Sequence, residues 1–206
     1  MGRSLSENRL GLCYRYDPHF CASALADRWF EELRETVPWT QPQVRVYGRW
    51  HRTPRLTAWV AEGARSYMYS GVEHPSAPWT PTLEAVREEV ERASSHRFNS
   101  VLLNLYRSGA DSVGWHSDDE AVLGDRPVIG SLSLGAPRRF RFRPHAKFGP
   151  PLTALPDAQR PRCELLLEHG SLLVMEGETQ RRWQHCLPRG RASQSRINLT
   201  FRWLHE

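Results

Sequence analysis

The chain has 206 residues, 39% hydrophobic and 25% charged, which suits one globular domain with a sizeable core. A formal net charge of +5 and a pI near 9.3 favour an anionic partner, nucleic acid first, and 15 prolines with 8 tryptophans speak against a helical bundle. Cys13, Cys21, Cys163 and Cys186 form no C-x-x-C pair and so indicate neither a zinc knuckle nor a disulfide framework; no apolar run approaches transmembrane length. The expectation is an intracellular protein without a membrane partner.

In chain order, "ASALADRWFEELRETV" (22–37) places Leu25, Trp29 and Leu33 at helical spacing, and Pro38 stops the helix. Short strand-like runs follow, "VRVYG" (44–48) and "RSYMYS" (65–70). "TPTLEAVREEVERAS" (80–94) offers Thr80 as N-cap, Pro81 at the first helical position, and a buried stripe of Leu83, Val86 and Val90. From residue 98 the pattern changes. "FNSVLLNLYRS", "PVIGSLSLG", "RRFRFRP", "CELLLEHGSLLVMEG" and "RINLTFRW" read as strands bounded by Gly and Pro. Many short strands without intervening helices suggest a sandwich or barrel. The proline-rich segment 143–162 reads as a long exposed loop.

Three stretches carry chemistry. In "GWHSDDE" (114–120), an extended backbone puts His116 and Asp118 on one face, where both reach one metal ion. His185 in "RRWQHCLP" arrives several strands later. Two histidines and a carboxylate on one face of a metal are the ligand set of non-haem Fe(II) oxygenases. The plainer reading, a histidine on a strand rim, stays open on this motif alone. "RINLTFRW" alternates: Arg196, Asn198, Thr200 and Arg202 on one face, Ile197, Leu199, Phe201 and Trp203 on the other. Either the polar face is wet, or it looks into a cavity where its arginines meet an anion. Such an iron site needs a two-electron donor for O2, and 2-oxoglutarate is one. Its far carboxylate wants a two-pronged, permanently charged partner, which arginine supplies and lysine does not. Arg196 follows His185 after one turn, and the apolar face would then pack outward, Trp203 included. Asn104 and Tyr106 share a face of "VLLNLYRSG" and offer hydrogen bonds to carboxylate oxygens.

The ordered string N-x-Y-x-x-G, H-x-D-D-E, W-x-H and R-x-N-x-T-x-R resembles the AlkB-type Fe(II)/2-oxoglutarate dioxygenases, which repair alkylated bases. It covers Asn104, Tyr106, Gly109, His116, Asp118, Asp119, Glu120, His185, Arg196, Asn198, Thr200 and Arg202. Similarity runs from about residue 40 to the C-terminus and is greatest to the duplex-DNA branch. It implies an α+β, mainly β, fold: a double-stranded β-helix (jelly roll) with N-terminal helices and a nucleotide-recognition lid. One catalytic domain would span 1–206, with helices and lid over about 1–97 and the β-helix over about 98–206. The cofactors implied are Fe(II) held by His116, Asp118 and His185, the co-substrate 2-oxoglutarate, and O2. Arg196, Asn104, Tyr106 and Thr200 would bind 2-oxoglutarate, and Arg202 would orient Asp118 and the co-substrate. "VYGRWHRTPR" (46–55) and "SYMYSG" (66–71) look like the nucleotide-recognition segments, making Tyr47, Arg55, Tyr67, Tyr69, Asp119 and Glu120 the substrate contacts. Tyr47 would be the finger that fills the stack when a base is flipped.

The activity implied is oxidative demethylation of N-alkylated bases in DNA, releasing succinate, CO2 and formaldehyde, by a monomer in the cytoplasm of a bacterium or the nucleus of a eukaryote. The alternatives are the same chemistry on single-stranded DNA, RNA or another substrate, and a non-catalytic nucleic-acid-binding jelly roll. Arg138, Arg139, Arg143, Lys147, Arg189 and Arg191 fall in turns from which bases reach phosphates.

Overall fold

A computed structural model of the chain describes residues 5–46, 48–64, 67–69, 72–146 and 162–205. Two antiparallel sheets face one another. The major sheet has the order β1 (Leu5–Arg9), β2 (Leu12–Asp17), β13 (Ser171–Glu176), β10 (Ile129–Gly135), β15 (Arg196–Arg202), β8 (Ser100–Tyr106), β5 (Leu56–Ala61). The minor sheet has the order β12 (Cys163–Leu167), β11 (Arg138–Pro144), β14 (Trp183–Leu187), β9 (Val113–His116). Two small hairpins, β3 (Gln43–Val46) with β4 (Arg49–Arg52) and β6 (Tyr67–Tyr69) with β7 (Val72–His74), stand apart from both sheets. The architecture is a jelly roll, as the sequence resemblance implied.

The alternation of side chains builds the layers. Helices α1 (Ser23–Thr36) and α2 (Pro81–Ser94) cover the outer face of the major sheet. Trp29 and Leu33 of α1, and Leu83, Val86 and Val90 of α2, meet Ile197, Leu199 and Phe201 of β15 there, all buried. Thr80 caps α2 as its position suggests, its hydroxyl accepting from the Leu83 N–H (3.3 Å). Between the sheets lies a second core of Tyr14, Phe140, Phe142, Leu165, Leu173 and Trp183, among others.

Four expectations are corrected. Strands β1, β2 and β5 come from the segment assigned to helices and lid, yet they extend the major sheet. "CELLLEHGSLLVMEG" is two strands in different sheets, β12 and β13, with the chain crossing over at Glu168–Gly170. Trp203 lies one residue beyond β15 and is 44% exposed, because the sheet pairing ends at Arg202 and Trp203 overshoots the helix layer. Residues 143–144 still belong to β11, while 147–161 of the expected loop lie outside the described residues. A short helix α3 (Thr179–Arg182) leads into β14. Among the described residues no helix is long and apolar enough to cross a membrane.

Candidate active site

The minor sheet brings the two histidines together. His116 ends β9 and His185 sits directly opposite on β14, their ring centroids 4.2 Å apart. Asp118 follows two residues after His116 and is fixed from three sides. Its main-chain N–H donates to Gln180 Oε1 (3.0 Å), Ser117 Oγ before it donates to the Trp183 carbonyl (3.0 Å), and its own Oδ2 accepts from Arg202 Nη2 (2.9 Å). The other carboxylate oxygen, Oδ1, is buried without a hydrogen-bond partner among the described residues and lies 3.9 Å from His116 Nε2. His116 Nδ1 is 2.9 Å from the Gly114 carbonyl, which only accepts, so Nδ1 carries the proton and Nε2 keeps its lone pair. Ligand atoms of His116, Asp118 and His185 all fall within 4.8 Å of one another.

The protonation states suit a cation. Burial alone would raise the Asp118 carboxyl, but Arg202 and the two histidines outweigh it and hold the group at about 2. Burial, reinforced by His116, pushes His185 down to about 3, leaving it neutral near pH 7. Metal ligands must be deprotonated, as Asp118 and His185 are at neutral pH.

The major sheet supplies the other wall. Arg196 and Tyr106 face each other across β15 and β8, as do Asn198 and Asn104. Arg196 is 1% exposed. Its Nη2 donates to Ser133 Oγ (2.8 Å), and its Nε and Nη1 are buried with no hydrogen-bond partner among the described residues. Burial lowers this guanidinium to about 10, so it stays charged at neutral pH. A buried guanidinium with two spare donors calls for an acceptor of opposite charge. Asn198 donates to Ser131 Oγ and the Leu132 carbonyl (both 2.9 Å), and Thr200 Oγ1 donates to Asn198 Oδ1 (3.2 Å). The polar face of "RINLTFRW" therefore looks into a cavity, shared with His116, Asp118 and His185.

The remaining candidates are scattered. Arg55, expected among the base contacts, is 5% exposed and donates from Nε to Asn104 Oδ1 (2.7 Å), within the same cavity wall. Asp119 is exposed, and Glu120 is half-buried with Oε2 unpartnered among the described residues. Tyr67 and Tyr69 lie on β6, though their side chains fall outside the description, and Tyr47 lies outside the described residues altogether. Arg138 is no phosphate contact. It is 5% exposed and donates to the carbonyls of Ser108, Asp111 and Pro188 (2.7–3.1 Å), stitching loops together. Arg139 pairs with Glu164, Arg189 and Arg191 are exposed, and Lys147 is outside the described residues. Sequence reasoning missed Gln180, Ser131 and Ser133. The two serines were readable as the polar half of "GSLSLG"; Gln180, on a four-residue helix, had no periodic signal. The family glycine Gly109 has a steric reason: a Cβ there would come within 2.3 Å of the Gly190 carbonyl oxygen.

The fold and this pairing of a two-histidine, one-carboxylate cluster with a buried arginine define a 2-oxoglutarate-dependent oxygenase. The family model of the 2OG-Fe(II) oxygenase superfamily matches residues 14–202. Alpha-ketoglutarate-dependent dioxygenase alkB homolog 3 of Bos taurus is 42% identical over 96% of this chain and 67% of its own length; the Homo sapiens counterpart is 42% identical over 91% and 65%. DNA oxidative demethylase ALKBH2 of Mus musculus is 39% identical over 87% of this chain and 75% of its own. The chain thus spans about two thirds of the length of these relatives. A solved structure, OsALKBH1, covers 98% of this chain at a TM-score of 0.57 and 17% identity, a likeness of fold. The chain belongs to the AlkB-type members of the 2OG-Fe(II) oxygenase superfamily.

Proposed function

We propose that the chain is an Fe(II)/2-oxoglutarate dioxygenase that removes N-alkyl groups from bases in DNA, acting as a monomer inside the cell. The observation that carries this reading is the cavity itself, where three buried or half-buried ligand atoms within 4.8 Å of one another face a buried guanidinium with two spare donors. The residues present fit both groups. When bound, iron with 2-oxoglutarate and O2 supplies the oxidation that hydroxylates the N-methyl carbon, after which formaldehyde leaves the base and succinate and CO2 remain.

The protein's part is to bind, orient and keep water out. His116, Asp118 and His185 hold the iron on one side and leave its other positions to the co-substrate. Arg202 neutralises Asp118 and fixes which carboxylate oxygen faces the metal. Arg196 would pair with the far carboxylate of 2-oxoglutarate, next to Tyr106, Thr200 and Asn104, while Arg55 locks the Asn104 amide. Asp119 and Glu120, which follow the metal motif, and the i, i+2 pair Tyr67 and Tyr69 are the residues assigned to the base. Names of relatives include DNA oxidative demethylases, which supports DNA as substrate.

Within DNA the reading commits to duplex, with Tyr47 as the wedge that fills the stack behind an extruded base. Succinate release is measured on methylated DNA and RNA, single- and double-stranded. Fe(II)-dependent turnover on DNA is expected, and Tyr47→Ala should slow the duplex by a larger factor than the same strand unpaired. Turnover confined to RNA, or an equal loss on both DNA forms, would overturn the substrate or the duplex assignment respectively.

A further inference from the structure

A second pocket, with apolar walls of Leu123, Pro127, Val128 and Trp203 and a basic rim, lies just beyond the Arg202 end of β15. Its volume is 310 Å³, the small end of the about 300–1,000 Å³ usual for ligand sites. Three separate segments wall it: His96 and Arg97 after α2, Arg126 after the 3-10 turn Ala121–Leu123, and Trp203 with His205 beyond β15. Among the described residues no carboxylate lines it. The nearby Glu91 is already engaged by Arg97 Nη1 (2.7 Å) and the Phe98 N–H (2.8 Å). Arg97 nonetheless projects, its side chain 84% exposed, and Arg126 is exposed.

Trp203 is the aromatic member, and 44% of it is open to solvent. Its backbone is clamped on both sides. Arg202 before it is tied to Asp118, and Leu204 after it exchanges two hydrogen bonds with the Asn99 side chain (2.7 and 2.9 Å). His205 is held as well, its N–H donating to the Val122 carbonyl (2.8 Å) and its ring lying against Gly124. The indole is thus an exposed ring on a fixed backbone, which keeps the ordering cost of binding low. An aromatic face flanked by guanidiniums matches a nucleotide, the base for stacking and the phosphate for charge.

Resting on the reading of the chain as a nucleic-acid demethylase, we propose that this pocket holds one unpaired nucleotide of the substrate strand, a few positions from the base under repair, with the base on Trp203 and the phosphate between Arg97 and Arg126. The loop 117–127, which carries Asp119 and Glu120, is all that separates the pocket from the active site along the chain. In a duplex every base is already stacked on its neighbours, so the contact engages only unpaired stretches of a DNA substrate and adds to the duplex engagement proposed through Tyr47.

The test compares a methylated trinucleotide, too short to reach both sites, with a single-stranded oligonucleotide of about 15 nucleotides carrying the same lesion. Anisotropy gives affinity for the longer strand and succinate release gives turnover on each. Trp203→Ala should weaken the longer strand about tenfold, with Trp203→Phe close to wild type. Arg97→Ala with Arg126→Ala should flatten the slope of log affinity against log salt by about one. Turnover of the trinucleotide should not change in any variant. Unchanged affinity and salt slope in folded Trp203→Ala and Arg126→Ala proteins would overturn the pocket. If the wild type turns over neither substrate, the demethylase reading fails, while the anisotropy series still decides whether the pocket binds the strand.

Discussion

The two sheets that enclose the cavity are opposite in chemistry. Among the described residues the major sheet presents donors without acceptors: the Nε and Nη1 of Arg196, held above the Tyr106 ring with its centroid 5.4 Å away. The minor sheet and the turn after it present acceptors without donors: Asp118 Oδ1 and the lone pair of His116 Nε2. One wall asks for an anion and the other for a cation, so a single metal-chelated dicarboxylate satisfies both. The walls also differ in how they are braced. On the major sheet the polar side chains brace one another, Thr200 to Asn198 to Ser131 and Asn104 to Arg55. Asp118 instead borrows its support from Gln180 on α3 and Arg202 on the far sheet. The metal wall therefore depends on elements outside its own sheet.

The largest effect should come from breaking the cation wall. His116→Ala, Asp118→Ala or His185→Ala each leaves two protein ligands. Metal affinity and succinate formation should fall beyond about a hundredfold, more than the 10–100-fold typical of an outer-shell partner. Titration of the apo-protein with Co(II), alongside turnover with Fe(II), reads both; retained turnover in any folded variant contradicts the ligand assignment. The anion wall should respond differently. Arg196→Lys replaces a two-pronged contact with a point charge, so KM for 2-oxoglutarate should rise about 10- to 100-fold with kcat and metal affinity nearly intact. Equal kinetics would mean that Arg196 does not hold the co-substrate.

Much of this contrast was legible in the sequence, and the exceptions have physical causes. Strand β15 announced itself because a half-polar strand between a helix layer and a cavity must alternate, and α2 because Thr80-Pro81 marks its start. The β1–β2 hairpin was invisible because Leu10 (φ 56°) occupies a left-handed turn position that sequence rules give to Gly or Asn. β5 was missed because "LTAWVA" is buried on both faces and carries no period. Of the site, the motif residues Asn104, Tyr106, His116, Asp118, His185, Arg196, Asn198, Thr200 and Arg202 line one cavity, whereas Gly109, Asp119 and Glu120 do not. Its bracing was not readable, since Gln180 and Arg55 reach their partners Asp118 and Asn104 from far along the chain. Arg138 misled for a related reason: bases flanking turns are usually solvated, and this one is consumed by three backbone carbonyls.

The smallest effect concerns the seam between the walls. The loop from β8 to β9 joins the major sheet to the minor one, and Asp111 fastens it. Its carboxylate accepts from the Arg107 main-chain N–H, Nε and Nη2 (2.8–2.9 Å), while Arg138 on β11 grips the Asp111 carbonyl (2.9 Å). Burial would raise the Asp111 carboxyl, but the Arg107 hydrogen bonds and the charges of Arg107 and Arg138 outweigh it and hold it below its ordinary 3.8. A depressed acid contributes stability that is complete above pH 3.8, where the unfolded chain is ionised too. Below that value the unfolded state takes up a proton that the folded state refuses, and the contribution is lost as pH falls through the folded value. Asp111→Asn keeps one acceptor and loses the charge. Because Arg107 is half exposed, the cost at pH 7 should be about 1–2 kcal/mol, below the full range for a charged hydrogen bond. Urea midpoints should show that cost at neutral pH and a smaller gap from wild type near about pH 3. KM for 2-oxoglutarate and metal affinity should stay at wild-type values, since neither wall loses a group. A gap that is constant with pH would show that the loop is held by hydrogen-bond geometry alone. A gap accompanied by a raised KM would show that the seam sets the distance between the anion wall and the metal wall.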